Sequence, residues 1–539
     1  MVTQNPASLS SQGNQGGCPR WGKGAKLETP LRPEEPMSAP PSATPPSLAQ
    51  SLHFWARNAS NESALLRTSL RLGLFDALPV QGEGTPVKVD ALAGKVGASV
   101  RGVRSLVELL VCLGLVHMDE ARGLSVTRPV ATFLKDAAFR ERLQEAARWW
   151  GPIGQLEEAV KTGEPVTSEG QRWDVLEHYR RLFLETVPAP SPEAEDFFDR
   201  FARSAARTWL LVTAGRLGLL EQLATGAKDE AALRAATGAS ERGLRRVLEV
   251  LAHLGLTRTE GTTSGFTEEA RQVLDGKALP YLLRSFSVSA QYWEALERLE
   301  ETVRHERFIL DLKDAEVSRR FYADNSNQIT AVFASHFQLS RRAAATLAQV
   351  RPLAGASVLD IGTGSGVWGV AFARTEPTAH VTYFDQEVVL QQARRNVEQL
   401  KALGQARFWP GNLFTQDFGE AAYDFIILPQ VLNVLRPESL PDMFRRVARA
   451  LKPDGILVIA EYVLNERRDG PLDHLYFGLR RFLTNEGDLL SHSEYAALLA
   501  DVGLTATVCL PLPTQELVLA ARPGVTLPTQ LAPPPRAAA

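Results

Sequence analysis

Three cysteines in 539 residues, Cys18, Cys112 and Cys509, stand too far apart for a CxxC pair or a metal-ligand cluster. No disulfide framework and no metal centre is expected from them, and a reducing compartment fits. Long hydrophobic runs are missing too: none reaches the roughly 18 residues of a membrane span. The N-terminus lacks the basic-then-apolar pattern of a signal peptide, so the expectation is a cytoplasmic protein. Charge of one sign is also absent. With 59 Lys and Arg against 62 Asp and Glu the net charge is −3, which gives no bulk attraction to nucleic acid or to an anionic membrane. What is present is ordinary globular material, 44% hydrophobic and 22% charged, in a chain too long for one core.

The most informative stretch is Ser357-Val-Leu-Asp-Ile-Gly-Thr-Gly-Ser-Gly-Val-Trp-Gly369. A short apolar β run, Val358 to Ile361, carries Asp360 and breaks into a turn with Gly362, Gly364 and Gly366, followed at once by a helical pattern. A strand-to-helix turn this tight needs unusual φ values and lets a ligand touch the backbone. The helix N-terminus behind it offers free N–H groups to polar or anionic atoms. Gly364, Gly366 and Gly369 also satisfy the dinucleotide fingerprint G-x-G-x-x-G, a weak signal alone. A second β run, Val381 to Phe384, ends in Asp385, placed to accept from a ribose diol; nicotinamide sites use an acid similarly, so both readings stay open here. A third run, Ala406 to Trp409, leads into Gly411-Asn-Leu-Phe414, a fourth is Phe425 to Leu428, and Lys452-Pro-Asp-Gly455 opens a fifth, Ile456 to Glu461.

That ordered set resembles the class I S-adenosylmethionine-dependent methyltransferases, and more closely the small-molecule O-methyltransferases that carry an N-terminal winged-helix dimerisation region. The methyltransferase resemblance covers roughly 355–521, and the N-terminal resemblance most of 50–335. It implies a Rossmann-like α/β domain with a seven-stranded mixed sheet, S-adenosyl-L-methionine as cofactor and a small-molecule, secondary-metabolite acceptor. By the same resemblance Gly362 and Gly364 match the turn around the methionine part, Asp385 the ribose ligand, and Asn412 with Leu413 and Phe414 the adenine contacts. Asp360, Gly366 and Gln386 complete the cofactor-binding set.

Ahead of this domain the chain repeats itself. Leu65 to Leu78 reappears as Leu210 to Leu223, Gly97 to Arg104 as Gly238 to Arg245, and Trp150 with Val160 as Trp293 with Val303, at offsets of 141 to 145. The expected organisation is a Pro/Ser-rich disordered tail over 1–49 with an alternative start at Met37, then two tandem, mostly helical winged-helix repeats over 50–190 and 191–335. The methyltransferase domain follows over 336–524, with a disordered tail over 525–539. Ser99 and Ser240 stand where N-caps belong, before helices bearing Arg101 and Arg104, or Arg242, Arg245 and Arg246. A winged helix with arginines invites a DNA-binding reading. The net charge and the lack of a basic stripe favour a dimerisation module with a solvated face. With two such modules in one chain, the expectation is either a homodimer or a pseudo-dimeric monomer.

The catalytic base departs from the family pattern. The family's V-L-H-x-W segment reads Gln430-Val-Leu-Asn-Val-Leu435 here, with Asn433 in place of the His, and the later Glu that orients that His falls near Leu489. Asparagine takes no proton near neutral pH. Three readings follow: an acceptor that needs no strong base, including a nucleophilic carbon; another base, for which His474, His336 and His492 are candidates with His474 foremost; or a cofactor-binding fold that no longer transfers methyl. Tyr322 and Phe333 lie on the segment that the resemblance puts over the pocket.

Overall fold

The computed structural model describes residues 46–274, 276, 278–311, 316–317 and 326–533, for 326–335 the backbone only. Most of the expected N-terminal tail therefore lies outside the described residues. Its last residues are ordered: Ser47 accepts from the Gln50 N–H, the Gln50 side chain accepts from the Ser47 N–H at 2.9 Å, and this capping box starts a helix at Leu48. The chain divides into two compact units.

One unit is helical and comprises 31–328, as far as described, together with Leu464–Leu489. Helices Val100–Cys112 and Glu241–His253 each start at the expected serine: Ser99 Oγ accepts from the Gly102 N–H at 2.9 Å, and Ser240 Oγ from the Gly243 N–H at 3.0 Å. Each helix is followed by a two-stranded wing, Val116–Met118 with Leu124–Val126, and Thr257–Glu260 with Thr263–Phe266.

The segments that resemble each other in sequence meet reciprocally. The Ser99 N–H donates to the Val303 carbonyl at 3.1 Å, and the Ser240 N–H to the Val160 carbonyl at 2.9 Å. A Cβ on Gly102 would stand 2.4 Å from the Val303 carbonyl oxygen, and one on Gly243 would stand 2.1 Å from that of Val160. Only glycine permits this approach of helix to backbone. Trp150 and Trp293 stack on each other with ring centroids 4.4 Å apart, and helices Ala59–Arg71 and Ser204–Arg216 pack together. This is the isologous pattern of a two-fold interface, residue i on j and j on i, inside one chain.

The arginines of the two helices are engaged within the unit. Arg101 donates to the carbonyls of Asn485 (3.1 Å) and Gly487 (2.7 Å), and Arg104 pairs with Asp488 at 2.5 Å. Arg242 donates to the Gly163 carbonyl and pairs with Asp174, while Arg245 pairs with Glu241 and Arg246 with Glu249. The segment Leu464–Leu489, expected inside a continuous domain over 336–524, packs here instead. Its helix Leu472–Thr484 lies on Val100–Cys112. The Tyr476 hydroxyl meets fully buried Glu62, whose two oxygens also accept a fork from Arg200 at 2.7 Å each. A buried carboxylate is tolerable only when satisfied in this way.

The other unit is built on a seven-stranded sheet: β1 Ser357–Ile361, β2 His380–Asp385, β3 Gln405–Pro410, β4 Tyr423–Pro429, β5 Leu451–Glu461, β6 Ala506–Pro511 and β7 Glu516–Ala521. The strand order is 3-2-1-4-5-7-6; the first five run parallel, and β7 is antiparallel to both β5 and β6. Both faces are covered, which is why the central strands read as continuous apolar runs. Val358, Phe425, Ile427 and Val458 face one core with Trp368 and Phe372, and Leu359, Ile426, Leu428 and Leu457 face the other with Phe444 and Val447. The C-terminal stretch expected to be disordered from 525 is packed as far as 533. Val525, Leu527 and Leu531 lie on the first core, and the Ala532 N–H donates to Thr346 Oγ1 at 2.9 Å. Three apolar side chains scattered through the Pro/Ala-rich tail suffice to anchor it, a signal that composition alone averages away.

Candidate active site

The C-terminal ends of β3, β2 and β1, neighbours in the sheet, bring the expected cofactor residues together. Gly362, Gly364 and Gly366 have φ of +68°, +52° and +79°, and a Cβ on Gly362 would press to 2.6 Å from Val431. Gly366 starts the helix Val367–Thr375. Beneath the turn lies Asp360, fully buried; its Oδ2 accepts from the Thr363 hydroxyl at 2.6 Å and from the Gly369 N–H at 2.9 Å. Its Oδ1 is buried with no hydrogen-bond partner, and burial raises the carboxyl to about 7. Asp360 thus ties β1, turn and helix together from below.

Asp385 ends β2 beside the same turn. Its Oδ2 accepts from the Gly364 N–H at 3.0 Å and its Oδ1 from the Gln386 N–H at 2.7 Å. Burial raises this carboxyl as well, against the pull of those two donors. Gln386 occupies the N-cap position of the helix Glu387–Gln399 without a capping bond from its side chain. At the end of β3 the Gly411 N–H reaches the Asp385 carbonyl at 3.0 Å, and Asn412 Oδ1 accepts from the Phe414 N–H at 2.9 Å. That turn leaves Phe414 58% exposed, while the Leu413 carbonyl is held by Arg446 at 2.9 Å. An open backbone turn, a carboxylate beside it and an exposed aromatic ring one strand further are suited to a nucleoside with a flexible polar tail.

Residues 299–505 match the model of an O-methyltransferase domain, and 57–136 that of the O-methyltransferase dimerisation domain; together they span more than half of the chain. The chain belongs to the O-methyltransferase family. Its relatives include the mitomycin biosynthesis 6-O-methyltransferase of Streptomyces lavendulae, 26% identical over 322 residues, 59% of this chain and 91% of that protein. Another is the acetylserotonin O-methyltransferase of Mus musculus molossinus, 26% identical over 54% of this chain and 78% of its own length. The fold matches that of an O-methyltransferase family protein from Burkholderia thailandensis, with a TM-score of 0.51 and 21% identity over 62% of this chain and 99% of that one. The protein is an S-adenosylmethionine-dependent O-methyltransferase.

In this O-methyltransferase Asn433 stands in the short turn Leu432–Val434 after β4, buried, and Nδ2 donates to both oxygens of Glu461, at 3.1 and 2.9 Å. The Leu432 N–H adds a third donor at 3.0 Å. Burial holds the Glu461 carboxyl up at about 7 in spite of them. Sequence reasoning missed Glu461, although it ends β5 as Asp385 ends β2, and ligands in open α/β sheets gather at such strand ends. His474 is buried on the helix Leu472–Thr484 of the helical unit. Burial lowers His336 to about 4, so it is neutral and a weak base at physiological pH. His492 pairs with Glu516 at 2.7 Å. Tyr322 and the Phe333 side chain lie outside the described residues.

The raised value at Glu461 has a measurable sign. The folded state prefers the protonated carboxyl, so its contribution to stability is present below the ordinary 4.5 and is lost as pH rises through about 7. Glu461→Gln keeps the shape and does not ionise, and its one oxygen can still accept from the Leu432 N–H while its NH2 gives up the contact from Asn433 Nδ2. The variant's stability relative to the wild type is expected to improve by on the order of 3 kcal/mol between about pH 5 and pH 8. Urea unfolding of both proteins across that range checks this, and a difference independent of pH would refute it.

Proposed function

We propose that this O-methyltransferase methylates a small molecule whose accepting atom is already nucleophilic at neutral pH, an acidic phenol or enol, with a carbon acceptor as the next choice. The observation that carries this is the Asn433–Glu461 pair. A neutral amide stands where the family resemblance puts a histidine base, and its Nδ2 is spent on a buried carboxyl. A base is needed only when the acceptor still holds its proton; otherwise positioning and exclusion of water carry the rate. When bound, S-adenosylmethionine supplies an electrophilic methyl on a sulfonium. The Gly362–Gly366 turn would then receive the methionine part, Asp385 with Gln386 the ribose, and Asn412, Leu413 and Phe414 the adenine. The relatives are named for small-molecule acceptors, which supports the substrate class.

Calorimetry with S-adenosylmethionine, then release of S-adenosylhomocysteine over a panel of phenols and enols graded by acidity, tests the reading. Turnover is expected to favour the acidic members and to survive His474→Ala. Collapse of turnover in that variant, with cofactor binding intact, would hand the base to His474. Binding without turnover on any acceptor would mark a fold that keeps the cofactor and no longer transfers methyl.

The reciprocal packing of the two repeats supports a pseudo-dimeric monomer, because each repeat already covers the other's dimerisation surface. Light scattering at micromolar concentration is expected to give a mass near the chain's 59.0 kDa; a clean dimer overturns this. Arginines committed to internal carbonyls and carboxylates support a structural role for the winged modules over DNA reading. No described helix is long and apolar enough to cross a membrane, and the cytoplasm is the compartment we propose.

A further inference from the structure

At the β6–β7 edge of the sheet, three side chains of different chemistry converge. Cys509 on β6 pairs in register with Val518 on β7, and Glu516 stands two residues before Val518, so Cys509 and Glu516 share one face as diagonal neighbours. His492 opens the helix His492–Ala500, whose backbone is fixed by the Ser491–Glu494 capping box. Cys509 Sγ lies 2.6 Å from Glu516 Oε2, and His492 Nε2 lies 2.7 Å from the same oxygen. One ligand atom from each of the three falls within 4.8 Å of the others. Cys509 is 8% exposed, and it and Val518 are part of a core with Tyr495, Leu499 and Leu504. The His492 and Glu516 side chains are 16% exposed each.

We propose that His492, Cys509 and Glu516 bind a zinc ion that clips the C-terminal hairpin to the helix His492–Ala500. A thiolate, an imidazole and a carboxylate form the mixed S/N/O set that zinc accepts in tetrahedral geometry, with a fourth position left for water. Bond lengths of about 2.0 to 2.3 Å put neighbouring tetrahedral donors about 3.3 to 3.7 Å apart. The two contacts to Glu516 need to open by about 1 Å, within the reach of side-chain rotation. Charge favours the ion: a thiolate and a carboxylate cancel a divalent cation, and a neutral cluster beside an apolar core costs far less than an isolated anion. Binding releases the thiol proton to solvent. The spacing 492…509…516 matches no contiguous ligand motif, so the sequence reading expected no metal.

Protein stripped with a chelator and titrated with zinc chloride alone is expected to take up one zinc per chain, measured by equilibrium dialysis and elemental analysis. Cobalt chloride is expected to give a thiolate-to-metal charge-transfer band that is lost in Cys509→Ser and retained in Cys112→Ser. Affinity is expected to fall at least about 10- to 100-fold in His492→Ala, and the wild-type melting temperature to rise with zinc but not with magnesium. A wild-type melting temperature unmoved by zinc overturns the site whatever the variants do. A cobalt band that survives Cys509→Ser overturns it equally. None of these readings depends on cofactor binding or turnover.

Discussion

Asp385→Ala is expected to weaken S-adenosylmethionine binding at least about 100-fold. A hydrogen bond to a charged group contributes about 1.5 to 3 kcal/mol, and a carboxylate facing a vicinal diol can accept two, so a loss of about 2.7 kcal/mol is a modest expectation. The carboxylate has a second task, since its Oδ2 fixes the Gly364 N–H and hence the glycine turn. Asp385→Asn keeps an acceptor for that N–H and loses the charge; about a tenfold loss is expected from it. Because burial raises the Asp385 carboxyl, binding should begin to weaken on acidification sooner than an exposed aspartate would allow. Calorimetry measures affinity and its pH dependence, and the ligand-free melting temperature shows whether the variants remain folded. Wild-type affinity in a folded Asp385→Ala protein would remove this residue from the site, and the ribose assignment with it.

Gly243→Ala and Gly102→Ala are each expected to cost about 3 kcal/mol of stability. The added methyl would meet backbone. At Gly243 the Val160 carbonyl oxygen, Cα and carbonyl carbon stand 2.1, 2.6 and 2.7 Å away, and at Gly102 the Val303 oxygen and Cα stand 2.4 and 2.8 Å away. A side chain in the way can rotate; a main chain must move with the helix it belongs to. Ordinarily Gly→Ala within a helix stabilises, by up to about 1 kcal/mol. Gly94→Ala supplies that control, because Gly94 is in a helix and a Cβ there meets nothing within 4 Å. Urea or thermal unfolding of the three variants compares them directly. Equal behaviour of Gly94→Ala and Gly243→Ala would mean that the two repeats do not pack through these helices in solution. A shift toward dimers in the Gly102→Ala/Gly243→Ala double variant would show the internal interface opened and exchanged between chains.

What could be read from the sequence was whatever contiguous residues carry. The turn Asp360–Gly366 needs φ values that glycine supplies. Asp385 and the Gly411–Phe414 loop follow β runs short and apolar enough to be recognised, and Ser99 and Ser240 cap helices within three residues of themselves. The duplication is visible because related segments keep their order and offset. Which surfaces those segments turn toward each other is not a local property. It took the tertiary structure to put Val303 against Gly102 and Val160 against Gly243, to pair Asn433 with a carboxyl 28 residues away, and to seat the last apolar residues on the helix Ser326–Leu347. It also set one sulfur, one ring nitrogen and one carboxylate oxygen within 4.8 Å across two strands and a helix. Backbone conformation and capping are decided by neighbours along the chain, so the sequence determines them. Register and burial are decided by neighbours in space, and with them the ionisation of Glu461 and Asp360, which water would leave as ordinary acids and the fold raises to about 7.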